Sequence, residues 1–208
     1  MLAASAKPVS EERAMKGGFL RALPLLLPKL VIAALLVSGA VLTARALYIP
    51  VKAEVAQVLL ARAFDQSLEQ GTPVKPWSWA DTAPVSRVRV ERLGVSEIVL
   101  SGGSGEAMAF GPTEVLDDRA RGVTVLAAHR DTHFEFVRDL RAGDEITLDR
   151  IDGTSETYRL RGFETLRFDE FTYPAHGGKG LLALTTCWPF GSQVSGPMRR
   201  VAWAERIT

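Results

Sequence analysis

Arg87-Val88-Arg89-Val90-Glu91 places an apolar side chain at every second position, and Val123-Thr124-Val125-Leu126-Ala127-Ala128 is a short run dominated by apolar residues. The first has the two-residue period of a half-buried strand, and the second reads as a buried strand. Comparable stretches recur at Ile98-Val99-Leu100, Glu145-Ile146-Thr147-Leu148-Asp149, Thr157-Tyr158-Arg159-Leu160-Arg161, Leu181-Leu182-Ala183-Leu184-Thr185 and Arg200-Val201-Ala202-Trp203-Ala204. Gly94 marks a turn between the first two strands, and Gly102-Gly103-Ser104-Gly105 marks a loop. One helical turn is expected over Glu106 to Ala109, and a short helix over Phe134 to Leu140 that Gly143 closes. About seven or eight short strands with few helices predict a mainly β domain, a barrel or a sandwich, over residues 85–208.

Toward the N-terminus the period lengthens. Val51, Val55, Val58, Leu59, Ala63 and Phe64 recur at helical spacing, and Gly71-Thr72-Pro73-Val74-Lys75-Pro76 then breaks the pattern. Residues 50–84 therefore read as a helical stalk and a Pro/Trp linker. Before them, Leu30 to Ala44 carries no charge, and extension through Ile49 gives about 20 residues and roughly 30 Å of helix, enough to cross a bilayer. Pro50 closes the apolar segment, Arg45 can snorkel, and Tyr48 suits the interface. Residues 23–49 are thus expected to be a transmembrane signal-anchor. Arg13, Lys16, Arg21 and Lys29 outnumber Glu11 and Glu12 ahead of it, which keeps residues 1–22 cytoplasmic and the rest translocated across the cytoplasmic (inner) membrane. Ala44-Arg45-Ala46 also fits a cleavage pattern, so a removed leader is the alternative. Either way the remainder acts outside the cytoplasm.

The whole chain has 208 residues, 47% of them hydrophobic, and 25 basic against 24 acidic side chains. That size suits one domain with an appendage. The near-neutral charge gives no general attraction to nucleic acid. With one cysteine there is no intrachain disulfide and no zinc site built on two thiolates.

Three places carry candidate chemistry. Cys187 lies where Pro189 stops a strand, a suitable mount for a nucleophile, although a free cysteine is often a small buried hydrophobe. His129 ends the strand Val123–Ala128, so imidazole and thiol can converge at one rim. His129 and His133 have the spacing of a zinc-peptidase motif, but Arg130 replaces its glutamate and the site is a strand end, so no metal is expected. Arg199 and Arg200 open the last strand, and a guanidinium there can hold a developing oxyanion. Asp131 reads as a helix cap, and His133 and His176 as structural or surface residues.

Together these residues carry a resemblance. Ala128-His129-Arg130-Asp131-Thr132-His133-Phe134, Leu184-Thr185-Thr186-Cys187, and Arg199 followed by Val201 resemble, in order and separation, the three motif segments of sortases, membrane-anchored cysteine transpeptidases. Ser104-Gly105-Glu106-Ala107, Phe110-Gly111-Pro112 and Trp188-Pro189-Phe190 are most similar to the Gram-negative group called class GN or marine proteobacterial sortases. There are departures: Ala183 stands where a threonine is usual, Ala128 where a glycine is common, and Arg200 at a customarily apolar position.

The resemblance implies a sortase-like closed β-barrel of seven to eight strands behind the anchor. It implies Cys187 as nucleophile, His129 as acid and base, and Arg199 as the oxyanion or substrate donor, with Thr186 and Trp188 as substrate contacts. No cofactor is implied, and no acidic cluster points to calcium. The implied partners are secreted proteins with C-terminal LPxTG-like sorting signals and an amine acceptor in the cell envelope. Two other functions compete. A thiol peptidoglycan transpeptidase would carry a Ser/Gly-rich stretch before the cysteine, where this chain has Leu184-Thr185-Thr186. A membrane-tethered, non-catalytic β-domain would be indifferent to loss of Cys187.

Overall fold

The computed structural model describes residues 10–174 and 178–208, with side chains from Leu27 onward. The first nine residues of the expected cytoplasmic segment, and His176, lie outside the described residues. The helix α1 (Ser10–Gln70) opens the described chain. Its Leu27–Gln70 portion contains a window of mean hydropathy 2.2 with no buried residue, long and apolar enough to cross a membrane. Pro50 ends the apolar stretch but not the helix. A proline removes one amide donor, and a helix with enough support on both sides continues past it. The stop comes at Gly71, whose positive φ of 67° and N–H bond to the Ser67 carbonyl (2.8 Å) close the last turn.

Ala53–Thr208 forms one compact unit, and the described residues up to Lys52 belong to another. Within the larger unit, the last turns of α1 are a layer of the domain. Ala56, Leu60, Ala63, Phe64 and Ser67 are buried, at the spacing that gives a helix one apolar stripe. Leu60 packs with Leu100 and Ala107, Gln57 Nε2 donates to the Phe110 carbonyl at 2.7 Å, and the Arg87 guanidinium lies 4.3 Å over the Phe64 ring. The segment read as a stalk is therefore, from Ala56 to Ser67, packed against the strands.

Eight strands follow: β1 (Pro84–Val90), β2 (Val95–Ser101), β3 (Thr113–Asp118), β4 (Val123–Ala127), β5 (Glu145–Arg150), β6 (Ser155–Arg167), β7 (Leu181–Cys187) and β8 (Met198–Arg206). They close a barrel in the order β1-β2-β3-β4-β7-β8-β6-β5, which leaves no open edge. The β2/β3 and β4/β7 pairs are parallel and the others antiparallel. Gly94, at φ 64°, makes the turn between β1 and β2. At Gly111 a Cβ would meet the Ile98 carbonyl at 2.7 Å, so only glycine allows that approach.

Val88, Val90, Val99, Leu126, Ile146, Leu148, Leu160, Leu182 and Leu184 fill the core, joined by Phe134 and Val137 from the β4–β5 connection. Each such side chain contributes about 1.5–3 kcal/mol by leaving water. A second cluster on the other face of the sheet joins Val123, Val125, Ala183 and Val201 under Phe171, Tyr173 and Trp203. Strands β4 and β7 are thus covered on both faces, which is why their sequences are nearly continuous apolar runs.

Strand β3 and the second half of β6, beyond Arg161, exceed the sequence expectation. In place of the expected helix over 134–140 there is a 3-10 turn at Glu135–Arg138.

Candidate active site

Strand register assembles the site. In the antiparallel β7/β8 ladder Cys187 is directly opposite Arg199, Thr186 opposite Arg200, and Thr185 opposite Val201. Directly opposed residues share a face and successive ones alternate. Of the tandem arginines, Arg199 is therefore the one on the cysteine's face. In the parallel β4/β7 ladder Ala127 is matched with Thr185, and the Ala128 N–H still donates to the Thr185 carbonyl at 3.3 Å. His129 follows two residues beyond the end of β4, at the same end of the sheet where β7 reaches Cys187. Histidine, cysteine and arginine thus leave three neighbouring strands at one end of the barrel.

Cys187 is half-buried and His129 is exposed. His129 opens a turn whose closing bond runs from the Phe134 N–H to the His129 carbonyl at 3.0 Å, and Phe134 is fully buried, so a core side chain holds the turn. Arg199 is half-buried; its Nη1 donates to the Gly196 and Met198 carbonyls, both at 3.0 Å, and its guanidinium lies 5.7 Å from the Phe168 ring. Nε and Nη2 are thereby uncommitted among the described residues. Arg200 instead faces the Phe163 ring at 4.4 Å and the Trp188 ring at 5.1 Å, and donates to Thr165 Oγ1.

The two residues expected to touch substrate are placed differently. Thr186 is only 2% exposed, and its hydroxyl donates to the Ala128 carbonyl at 2.8 Å. It ties β7 to the residue before His129 rather than offering its hydroxyl to a groove. Trp188 is half-buried, sets its ring edge against Phe190 at 5.6 Å, and keeps company with Arg200 rather than Arg199. Asp131 accepts from Arg130 Nε at 3.2 Å instead of capping a helix. His133 Nδ1 is 2.8 Å from Glu97 Oε2, which fastens the far end of the turn to β2. Arg130, to which the sequence assigns no role beyond breaking the zinc-peptidase pattern, is buried at 7% exposure. Among the described residues no group of three or more His, Cys, Asp or Glu side chains is placed to hold a metal ion.

The other end of the barrel carries a contrasting polar cluster. Arg150 is paired with Glu114, Asp117 and Glu156 at 3.2–3.4 Å. It borders a cavity of about 200 Å³ with Thr124, Tyr158 and Arg206. Burial, more than the nearby Asp117 charge, pushes the Glu114 carboxyl up, and burial likewise raises the Tyr158 phenol.

The architecture is that of a closed barrel whose β7 ends in a cysteine paired in register with an arginine of β8, beside the strand that leads into His129. A family model for the sortase domain matches residues 88–207, more than half of the chain, and the protein belongs to the sortase family, whose members are cysteine transpeptidases. Among solved structures, sortase A from Corynebacterium diphtheriae is similar with a TM-score of 0.52 at 15% identity, over 62% of this chain and 63% of that one. Sortase C-1 from Actinomyces oris gives 0.51 at 20% identity over 60% and 73%, and the pilus-related sortase C of Group B Streptococcus gives 0.50 at 20% over 60% and 68%. At these identities the likeness is one of fold, and the chain spans under two thirds of the Corynebacterium protein's length. No curated protein matches the chain.

Proposed function

We propose that this chain is a cysteine transpeptidase that cleaves an LPxTG-like sorting signal of a secreted protein and transfers it to an amine, or to water. The carrying observation is the direct pairing of Cys187 with Arg199 on a strand whose other neighbour leads into His129. The thiolate of Cys187 attacks the scissile carbonyl carbon, and the carbonyl π-electrons move onto oxygen. The uncommitted Nε and Nη2 of Arg199 donate to that oxyanion or to the adjoining substrate backbone. As the tetrahedral adduct collapses, the C–N bond breaks and His129, as imidazolium, gives its proton to the departing amine. The result is a thioester on Cys187 and a neutral imidazole. An incoming amine then attacks the thioester and yields its proton to His129, which restores the thiolate and the imidazolium. Thr186 enters this scheme as a positioning group, through Ala128, and Trp188 as packing under Arg200.

In this reading residues 23–49 anchor the chain in the cytoplasmic membrane, residues 1–22 stay inside, and residues 85–208 form the extracytoplasmic catalytic barrel reached through residues 50–84. Phe110-Gly111-Pro112 and Trp188-Pro189-Phe190 support placement in the Gram-negative group. The test incubates the full chain in detergent with LPxTG-like peptides and hydroxylamine. A peptide hydroxamate and an acyl adduct on Cys187, both absent in Cys187→Ala and His129→Ala, are expected. Cleavage that survives Cys187→Ala refutes the reading.

A further inference from the structure

Arg130, beside His129, is a cation in a position where cations are rare. Its side chain is 8% exposed. Nε donates to Asp131 Oδ2 at 3.2 Å, and Nη2 donates to the carbonyl of Ser192 and, at 3.3 Å, to that of Val194. Nη1 is buried and has no acceptor among the described residues. The Ser192 hydroxyl donates to the Val194 carbonyl at 3.1 Å and accepts the Val194 N–H at 3.2 Å, so the segment that Arg130 grips is itself a closed turn.

That turn belongs to the β7–β8 loop, which begins at Trp188 after the thiol and ends at Pro197 before Arg199. Near its other end the Gly196 carbonyl accepts from Arg199. The loop is therefore held by a guanidinium on each flank: one belongs to the proposed oxyanion donor, the other to the residue following the proposed acid and base. A buried guanidinium carries a desolvation penalty that only well-placed partners offset. Two of its three nitrogens here are matched to a carboxylate and two loop carbonyls. A lysine, with donors at a single point, cannot reproduce that fork.

We propose that Arg130 is a positioning residue: by clamping the Ser192–Val194 turn it fixes the β7–β8 loop against the His129 turn, and with it the placement of the imidazole relative to the thiol. The proposal rests on the reading of Cys187 and His129 as the reacting groups. Its consequences differ from those of a residue that only adds stability, because the clamp acts on geometry within the folded protein.

The test compares the full chain in detergent with Arg130→Lys and with a loop-side variant, Ser192→Gly combined with Val194→Gly, which loosens the same contact while leaving the guanidinium in place. Three quantities are read: the melting temperature, amide hydrogen exchange by mass spectrometry, and kcat and KM for acyl transfer from an LPxTG-like peptide to hydroxylamine. Both variants should show exchange faster by about tenfold or more, confined to residues 188–197. Below their melting temperatures kcat should fall about 100-fold, the cost of roughly 1 Å of misplacement, with KM nearly unchanged. If Arg130→Lys does not fold, the loop-side variant carries the test alone. Wild-type exchange over 188–197 with wild-type kcat in a folded variant overturns the proposal, as does a kcat loss explained by the unfolded fraction. A wild type that acylates no peptide defeats the functional reading instead, and the exchange measurement still judges the clamp.

Discussion

Replacing Arg199 with alanine removes the only arginine that β8 presents on the face of Cys187, since the ladder sets Arg199 opposite the thiol and Arg200 opposite Thr186. If the uncommitted Nε and Nη2 serve the oxyanion, the loss is that of a preorganised donor, about 10²–10³ in kcat, or about 2.7–4 kcal/mol. The same change at Arg200 removes a guanidinium stacked on Phe163 at 4.4 Å and bonded to Thr165. That loss costs about 0.5–1 kcal/mol of stability and changes kcat by less than about threefold, since under about 0.7 kcal/mol reaches the barrier. Deleting one of the two arginines sharpens the contrast, because either deletion gives the same sequence. Val201, Ala202 and Ala204 are fully buried and hold β8 in register, since a one-residue slip would turn all three to the wrong face. The surviving arginine must then occupy the place of Arg200, with Met198 opposite Cys187. The deletion variant should melt as a folded protein and be as slow as Arg199→Ala in the peptide–hydroxylamine assay. A deletion variant with wild-type kcat, or an Arg200→Ala slower than Arg199→Ala, refutes the assignment from register.

Thr186→Val keeps the shape of the side chain but withdraws the hydroxyl from the buried Ala128 carbonyl; stability should drop by about 1–3 kcal/mol, and kcat should fall with KM unchanged, read by melting and steady-state kinetics. Leu60→Ala should destabilise the domain by about 2–5 kcal/mol, because Leu60 is fully buried against Leu100 and Ala107; denaturant melts measure this, and kcat of the folded fraction should stay at the wild-type value. Asp152 accepts from the Thr154 hydroxyl and N–H and pairs with Arg119, which holds its carboxyl at about 2 against an ordinary 3.8. A depressed carboxylate stabilises the fold above its unfolded value and stops doing so as pH falls through its folded value. Asp152→Asn should therefore melt lower than wild type at neutral pH, with the gap closing between pH 3.8 and about 2, as thermal melts across that range will show.

What the sequence disclosed follows from which side chains the fold buries. Strands β1, β5 and β7 alternate or run apolar because one or both faces meet the core, and their periods can be read directly. Strand β3 was hidden because only Thr113 of its six residues is buried; its Glu114, Asp117 and Asp118 have the composition of a loop, and the neighbouring strand β4 makes it a strand. The end of β6 was hidden for a related reason. Phe163 to Arg167 pair with β8 beyond an irregularity between Leu160 and Gly162, which shifts the alternation a reader would follow. At the site, residue types and order pointed to Cys187, His129 and the arginine pair, and strand parity separates Arg199 from Arg200. The burial of Thr186 is not legible in the sequence, because it depends on the Ala128 carbonyl that its hydroxyl meets across the β4/β7 pair. Arg130 had no signal, since burial of a charge is created by the loop that folds over it.

The two ends of the barrel differ in how their charges are matched. At the end where β7 begins and β8 finishes, Arg150 is 7% exposed on its side chain and meets three carboxylates and the Thr124 hydroxyl. The neighbouring Glu156 also receives Tyr158 and Arg206. Such a network, with its charges paired, rigidifies the fold but has little left to offer a ligand. At the end where β7 finishes and β8 begins, Arg199 keeps donors uncommitted and Arg130 holds the one buried charged atom without an acceptor among the described residues. Buried polar groups are nearly always satisfied, and the exceptions gather where a protein acts. Of the two buried side-chain atoms without a partner among the described residues, the neutral Ser86 Oγ lies opposite Arg150, and the charged Arg130 Nη1 lies at the rim that strand register selects for Cys187 and His129.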